Sequence, residues 1–511
     1  MTAAILLLGS AIRLLPLTYV DFRLPFRMGG LYVEFAQQIA AHHFFLPARI
    51  PFYTEGGIPF AYPPLPFYVQ AALLQVFSSS TYAIANLLPP LTAIVALLCF
   101  FLLVRALKLQ PLTGTIALAA FATLPSAYYE QWESAGLAEA FGSLALVLFG
   151  TALAKVYHSE KPVYYGLTGL ALGISVLASP GSAAAAALMF VLFTAIKLFT
   201  TKEHRFAAVV RFTVAGVIGV LVASPYLVSV IQYHGAGLFW NILRTESSSP
   251  MNNHPFPGWL SPIFNFNASG ALYPFIWDFI AFSGLIWAVF RRQWWLPLWY
   301  LAMFMVPREG WWTASIPASL LVGFGVTEIW FPFTLAAGKG LSLIERAIIY
   351  PALAILFCAY ALINVKAIIS QDIVKGYDRE HWVDTIEAAE WVKTSTPADS
   401  RFIVMIEREA MEWTPYLMQR TVLNTPYGAE WEPDELRKIS ALGDDLGDCS
   451  NLPCIRQAVT KFTSQPNWYG FLRKRGMGGL SNPERVQEAG FELIWENREV
   501  VIVRFTGIAH P

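Results

Sequence analysis

Apolar stretches about as long as a bilayer is thick recur along this chain, and nothing else restricts its fold so strongly. A helix needs about 20 mostly apolar residues to cross the hydrocarbon core. Stretches of that kind fall at 3–20, 82–104, 111–129, 137–156, 163–179, 182–199, 207–230, 273–290, 294–307, 312–331 and 347–366. Backbone groups in lipid have to be satisfied within the segment, so these read as helices. The expected fold is a polytopic α-helical membrane protein of about 11 spans by the same length criterion. Only 14% of residues are charged, against roughly 25% in an average soluble domain. The formal net charge of +0 carries no electrostatic footprint for nucleic acid. Arg13 interrupts the first apolar run and no basic segment precedes it, so a removable signal is not expected.

Counting 64–79 as a further span would invert the orientation of everything after it, and the distribution of cations decides between the two arrangements. With 64–79 lying in the membrane interface and the N-terminus cytoplasmic, cytoplasmic loops receive Arg105 and Lys108, Lys155 and Lys161, then Lys197, Lys202, Arg205 and Arg211. Arg291, Arg292, Lys339 and Arg346 follow the same pattern, which is the asymmetry the positive-inside rule requires. The short stretch 294–307 has Trp294-Trp295 and Pro307 as anchors at its ends. An odd number of spans then places 367–511 outside, in a multi-pass protein of the cell membrane.

The first outer loop, 21–81, is expected to hold two helices at the membrane surface. Leu31, Phe35, Ile39 and Ala40 recur at helical spacing with polar Gln37, Gln38 and His42 between them. The second helix opens at Pro63-Pro64, in a Gly- and Pro-rich run from Gly56 to Tyr68, and Tyr53-Thr54-Glu55-Gly56-Gly57 reads as a turn-rich linker. After 366 the pattern changes to a helix at 381–394, a strand at 401–406, helices at 432–441 and 454–463, and a closing strand pair at 491–497 and 499–505. The expected organisation is a transmembrane part, 1–366, followed by a compact extracytoplasmic α/β domain, 367–511. Cys99 and Cys358 lie in apolar stretches as small hydrophobes. Cys449 and Cys454 flank Ser450-Asn451-Leu452-Pro453, which can turn, and in an oxidising compartment a local disulfide between them is geometrically plausible.

Several of these features occur together. Asp21 ends the first span, Tyr62-Pro63-Pro64-Leu65 opens the second surface helix, and the second outer loop carries Glu130, Glu133 and Glu139. With the N-in first helix and the outer C-terminal part, the chain resembles the GT-C glycosyltransferases. It is most similar to the branch containing protein O-mannosyltransferases and the lipid A aminoarabinose transferase. In many relatives an Asp-Glu pair precedes a Tyr-x-Glu, and here Tyr32-Val33-Glu34 is kept while Met28-Gly29 stands at the acidic positions. The resemblance implies transfer of a sugar from a polyprenyl-phosphate carrier, among membrane lipids, to an acceptor glycan, lipid or protein on the extracytoplasmic face.

That chemistry calls for a carboxylate to take the proton of the acceptor hydroxyl, and for cations or dipoles to hold the departing phosphate. Asp21 at the outer rim suits the base, against the plainer reading of an interfacial cap paired with Arg23. Glu34 is the alternative carboxylate, or a solvated face residue, and Glu55 is either a substrate ligand or a turn residue. Glu133 or Glu139 takes the second acidic role that the resemblance implies. Arg308 is the candidate phosphate ligand, since a guanidinium holds phosphate through two parallel bonds, with pairing to Glu309 as its alternative. Tyr62, His234, Arg244 and His254 complete the candidate substrate-binding set. No His/Cys/Asp cluster has metal-ligand spacing, so no cofactor is required, although a divalent cation between two carboxylates and a phosphate is compatible with the pattern. Two other classes fit part of the sequence. A non-catalytic scaffold subunit would account for Met28-Gly29, and a flippase or transporter would account for an intramembrane Glu139.

Overall fold

The computed structural model describes residues 1–77, 81–159, 161–200, 205–239, 275–306, 310–333, 359–370, 377–462, 468–474 and 483–506. The chain opens with α1 (Thr2–Leu14), and a long loop then carries α2 (Gly30–Ala41), the short strands β1 (Arg49–Ile50) and β2 (Ile58–Pro59), and α3 (Leu65–Val76). Next come α4 (Thr81–Ala106), α5 (Pro111–Thr123), α6 (Leu137–His158), α7 (Pro162–Ala178), α8 (Pro180–Thr200) and α9 (Arg205–His234). The apolar part closes with α10 (Phe275–Phe290), α11 (Trp295–Phe304), α12 (Ser315–Phe333) and α13 (Ala359–Ile368). Among the described residues, α4, α6, α8, α9 and α12 are long and apolar enough to cross a membrane, and the other apolar helices are shorter.

Local chemistry sets several boundaries. Pro111 and Pro162 occupy the first turns of α5 and α7, where a missing N–H costs nothing. Helix α5 stops at Thr123, short of the expected 129, because Leu124 precedes Pro125 and is held extended. Helix α2 stops at Ala41 because His43 and Phe44 adopt positive φ. Helices α7 and α9 approach so closely that a Cβ on Gly169 would lie 2.4 Å from the Ala215 carbonyl oxygen, the small-residue packing usual where lipid supplies no hydrophobic drive. Arg13 is buried within α1 and donates to the carbonyls of Gly9, Phe121 and Ala122. It thereby satisfies the C-terminal end of α5, where a helix presents negative charge.

The C-terminal part is built from α14 (Arg379–Ser395), β3 (Arg401–Met405), α15 (Arg408–Met418), β4 (Thr421–Val422), α16 (Pro433–Gly447), α17 (Leu452–Phe462), β5 (Trp468–Arg473), α18 (Pro483–Glu488), β6 (Phe491–Glu496) and β7 (Val500–Phe505). Its sheet has the order β4-β3-β5-β7-β6, with β3 parallel to both β4 and β5 and the remaining pairs antiparallel. Alternate residues of β3 point to opposite faces. Phe402 and Val404 pack with Ala410, Trp413 and Val392 of α15 and α14, while Ile403 packs with Leu442, Leu446 and Ile455 of α16 and α17. Cys449 and Cys454 are joined in a disulfide between α16 and α17, their Cα atoms 5.4 Å apart.

The sheet is seated directly on the first loop. The Val422 amide donates to the Phe52 carbonyl at 2.8 Å, and Arg49 makes two 2.9 Å bonds to the Glu432 carboxylate. The linker expected at 53–57 is the turn of the β1–β2 hairpin, with Gly57 at φ +68, where a Cβ would lie 2.5 Å from the Ile50 carbonyl oxygen.

Candidate active site

Helix α2 begins without a side-chain cap of its own, and its exposed amides are satisfied from a distant part of the chain. The Glu412 carboxylate, on α15, accepts from the amides of Gly29, Gly30 and Leu31, each at 2.8 Å. A buried anion at a helix N-terminus meets both the unsatisfied amides and the positive end of the dipole. Glycine is required here because a Cβ on Gly30 would lie 2.7 Å from the Trp413 Cα. Gly29-Gly30 is therefore where α15 lies against the start of α2, and the Tyr53 hydroxyl also donates to the Glu412 carbonyl.

One turn along α2, Glu34 is buried at 2% exposure, not on a solvated face. Its Oε1 accepts from Gln38 Nε2 at 2.7 Å, while Oε2 has no hydrogen-bond partner among the described residues. Burial pushes its carboxyl up to about 7, against the Gln38 bond and the more distant charge of Lys393.

Glu133 is buried beside Arg27, whose Nε lies 3.0 Å from it and 3.8 Å from Glu409 of α15. Burial raises the Glu133 carboxyl to about 8; Arg27 opposes the shift, and neighbouring Glu130 and Glu409 add to it. The second loop is fixed here, since the Ala135 amide donates to the Met28 carbonyl and Trp413 Nε1 donates to the Arg27 carbonyl. Glu139 lies in the first turn of α6, half-buried.

Asp21 is half-buried at the end of the first helical segment. Its Oδ1 accepts from the Arg23 amide at 3.1 Å, Arg379 Nε lies 3.5 Å from Oδ2, and its own amide donates to the Tyr377 hydroxyl. Asn86 of α4 holds the next residues by donating to the carbonyls of Phe22 and Leu24. Asp21, Glu34 and Glu133 are thus carried on loops that α14 and α15 cover, each with its own partners.

Other candidates hold the C-terminal part in place. Glu55 pairs with Arg401 at 2.8 Å, and the Tyr62 hydroxyl donates to Glu430 with its ring 5.5 Å from that of Trp431. His234 ends α9. Arg244, His254 and Arg308 lie outside the described residues. Sequence reasoning missed Arg27, Arg379 and Glu412. The signal for Glu412 was an acid between Ala410 and Trp413, on the helix face that packs inward, and helix 408–418 itself was not expected. Among the described residues no group of three or more His, Cys, Asp or Glu converges as a metal cage.

No protein-family profile matches the chain, and no curated protein matches it in sequence. Solved structures do match. The oligosaccharyltransferase AglB from Archaeoglobus fulgidus, in complex with an inhibitory peptide and a dolichol-phosphate, is 14% identical with a TM-score of 0.61, over 92% of this chain and 69% of that one. ArnT from Cupriavidus metallidurans bound to undecaprenyl phosphate is 14% identical with a TM-score of 0.58, over 100% of this chain and 99% of that one. The arabinofuranosyltransferase AftD from Mycobacteria is 14% identical with a TM-score of 0.56, over 100% of this chain and 40% of that one.

Proposed function

We propose that this chain, which has the GT-C fold of those glycosyltransferases, is a membrane glycosyltransferase using a polyprenyl-phosphate-linked sugar as donor. The observation that carries the reading is the set of three carboxylates, Asp21, Glu34 and Glu133, supported under α14 and α15 on a fold whose structural neighbours were solved with dolichol-phosphate and with undecaprenyl phosphate. Asp21 is the base. It is the most accessible of the three, and Arg379 and the Arg23 amide orient it toward an acceptor hydroxyl as that oxygen attacks the anomeric carbon. Glu133, paired with Arg27, and Glu34, held by Gln38, shape the site behind it, with Glu139 nearby in sequence. Arg308 is assigned to the donor phosphate, with Arg244, His234 and His254 on the same side of the reaction. The acceptor class is left open.

A positioned base contributes about 10²–10⁴-fold. Asp21→Asn should therefore cut transfer from a polyprenyl-phosphate sugar by about that factor while donor binding persists, and Glu34→Gln should cost less. The reverse pattern would move the base to Glu34. If neither change matters and no polyprenyl-phosphate sugar supports transfer, a non-catalytic scaffold is the better account, as Met28-Gly29 at the acidic positions would favour. The reading assigns no resident cofactor; slowing by EDTA, reversed by Mg²⁺ or Mn²⁺, would add a cation between a carboxylate and the donor phosphate.

A further inference from the structure

Strand order reverses at β3. The chain leaves β3 through α15 to reach β4 on one side, then returns through α16 and α17 to β5 on the other, with α15 and α16 on opposite faces of the sheet. In open parallel sheets such a reversal opens a crevice at the carboxyl ends of the strands, where ligands bind. A cavity of about 630 Å³ lies there, between the end of β3, α15, the 424–427 loop, α16 and Arg473 at the end of β5. That volume is within the range of small-molecule sites.

The lining is apolar along its floor and carries Glu407, Arg408 and Arg473 at its rim, with Arg473 shared between Glu407 and Glu499. Met405, Met411, Ile439 and Leu446 supply the apolar surface. Glu407 is paired by contact with Arg473, and His381 Nε2, whose imidazole is kept neutral by burial and by Arg473, lies 2.8 Å from it. With its side chain so engaged, Glu407 leaves the first-turn amides of α15 without a side-chain cap. The exposed Arg408 is braced by one Nε bond to the Tyr427 hydroxyl at 3.1 Å, which leaves its terminal nitrogens as donors in a fixed fork. On α16, Gly443 and Gly447 line the same cavity one turn apart, and a Cβ at either would meet nothing within 4 Å. Glycine at these helical positions costs stability relative to alanine and keeps the cavity open.

We propose that this crevice binds a saccharide bearing an anionic group, with Arg408 and the α15 amides on the acid and the Met405–Met411–Leu446 floor beneath the ring. The anion follows from the Arg408 guanidinium and the uncapped α15 amides, and the choice of a saccharide rests on the glycosyltransferase reading. The acid is a carboxylate or a phosphate, both of which suit a guanidinium and a helix N-terminus.

The test is saturation-transfer NMR and calorimetry on the full-length protein in detergent, with glucuronate, glucose 6-phosphate, neutral glucose and inorganic phosphate as probes. At least one acidic sugar should bind about tenfold or more tightly than glucose, and the comparison of the two identifies the acid. Arg408→Ala should remove that preference. Gly443→Leu should abolish binding by filling the cavity, with an unchanged melting temperature showing that the fold persists. Equal binding of neutral glucose, phosphate alone binding as tightly as the sugar phosphate, binding that survives both substitutions, or no binding at all would each overturn the proposal. Binding is read independently of turnover. Transfer without crevice binding therefore rejects only the crevice, and crevice binding without transfer rejects only the active-site reading.

Discussion

Glu34 holds its proton to near neutrality because burial disfavours the anion and one carboxylate oxygen has no donor among the described residues. Its folded-state value of about 7 lies above that of an unfolded carboxyl, so the folded protein keeps this proton longer as pH rises. The associated stability is complete below the ordinary carboxylate range and is lost as pH climbs through about 7. The full effect is on the order of 3 kcal/mol. Glu34→Gln, which cannot ionise, should melt like the parent protein at pH 5 and above it at pH 8, as read by tryptophan fluorescence in detergent. A parallel decline in both proteins would show that Glu34 is not the titrating group.

At the scale of elements, α2 is fixed from outside its own sequence neighbourhood. Its first three bound amides converge on Glu412, so α15 sets the position of the helix that carries Glu34. Glu412→Ala removes a charge-assisted contact shared by three amides, a loss of about 3 kcal/mol. Hydrogen exchange should show α2 losing protection while the α16–α17 side of the sheet keeps its own. Glu412→Gln should fall between, because an amide oxygen can accept these bonds without the charge. Uniform loss of protection across α2 and the sheet would mean that Glu412 supports the whole assembly and not the helix alone.

At the scale of the whole molecule, the cation asymmetry predicts that both the first loop and the C-terminal sheet lie outside the cytoplasm. A reporter that works only outside should be active when fused after residue 370 and silent near Lys202, and the opposite result would reverse the side on which every site residue acts. The packing of β4 and α15 on the first loop requires those segments to share one side of the membrane whichever side it is. The sequence by itself determined that the apolar stretches are helical, that the first loop holds two helices and that helices and strands alternate after residue 366, because burial in lipid or on a sheet imposes periodicity on neighbouring residues. It did not disclose helix 408–418, whose apolar pattern is interrupted by charge, or strand 468–473, a short run broken by Gly470. Only tertiary structure decided that Arg13 closes the end of α5, that Gly29-Gly30 receives an acid from a residue almost four hundred positions away, and that Glu55 and Tyr62 hold the sheet in place. Those contacts depend on which groups the fold brings within bonding distance. A buried charge or a bare helix end shows in the sequence only that it needs a partner, and the partner becomes known when the chain has folded around it.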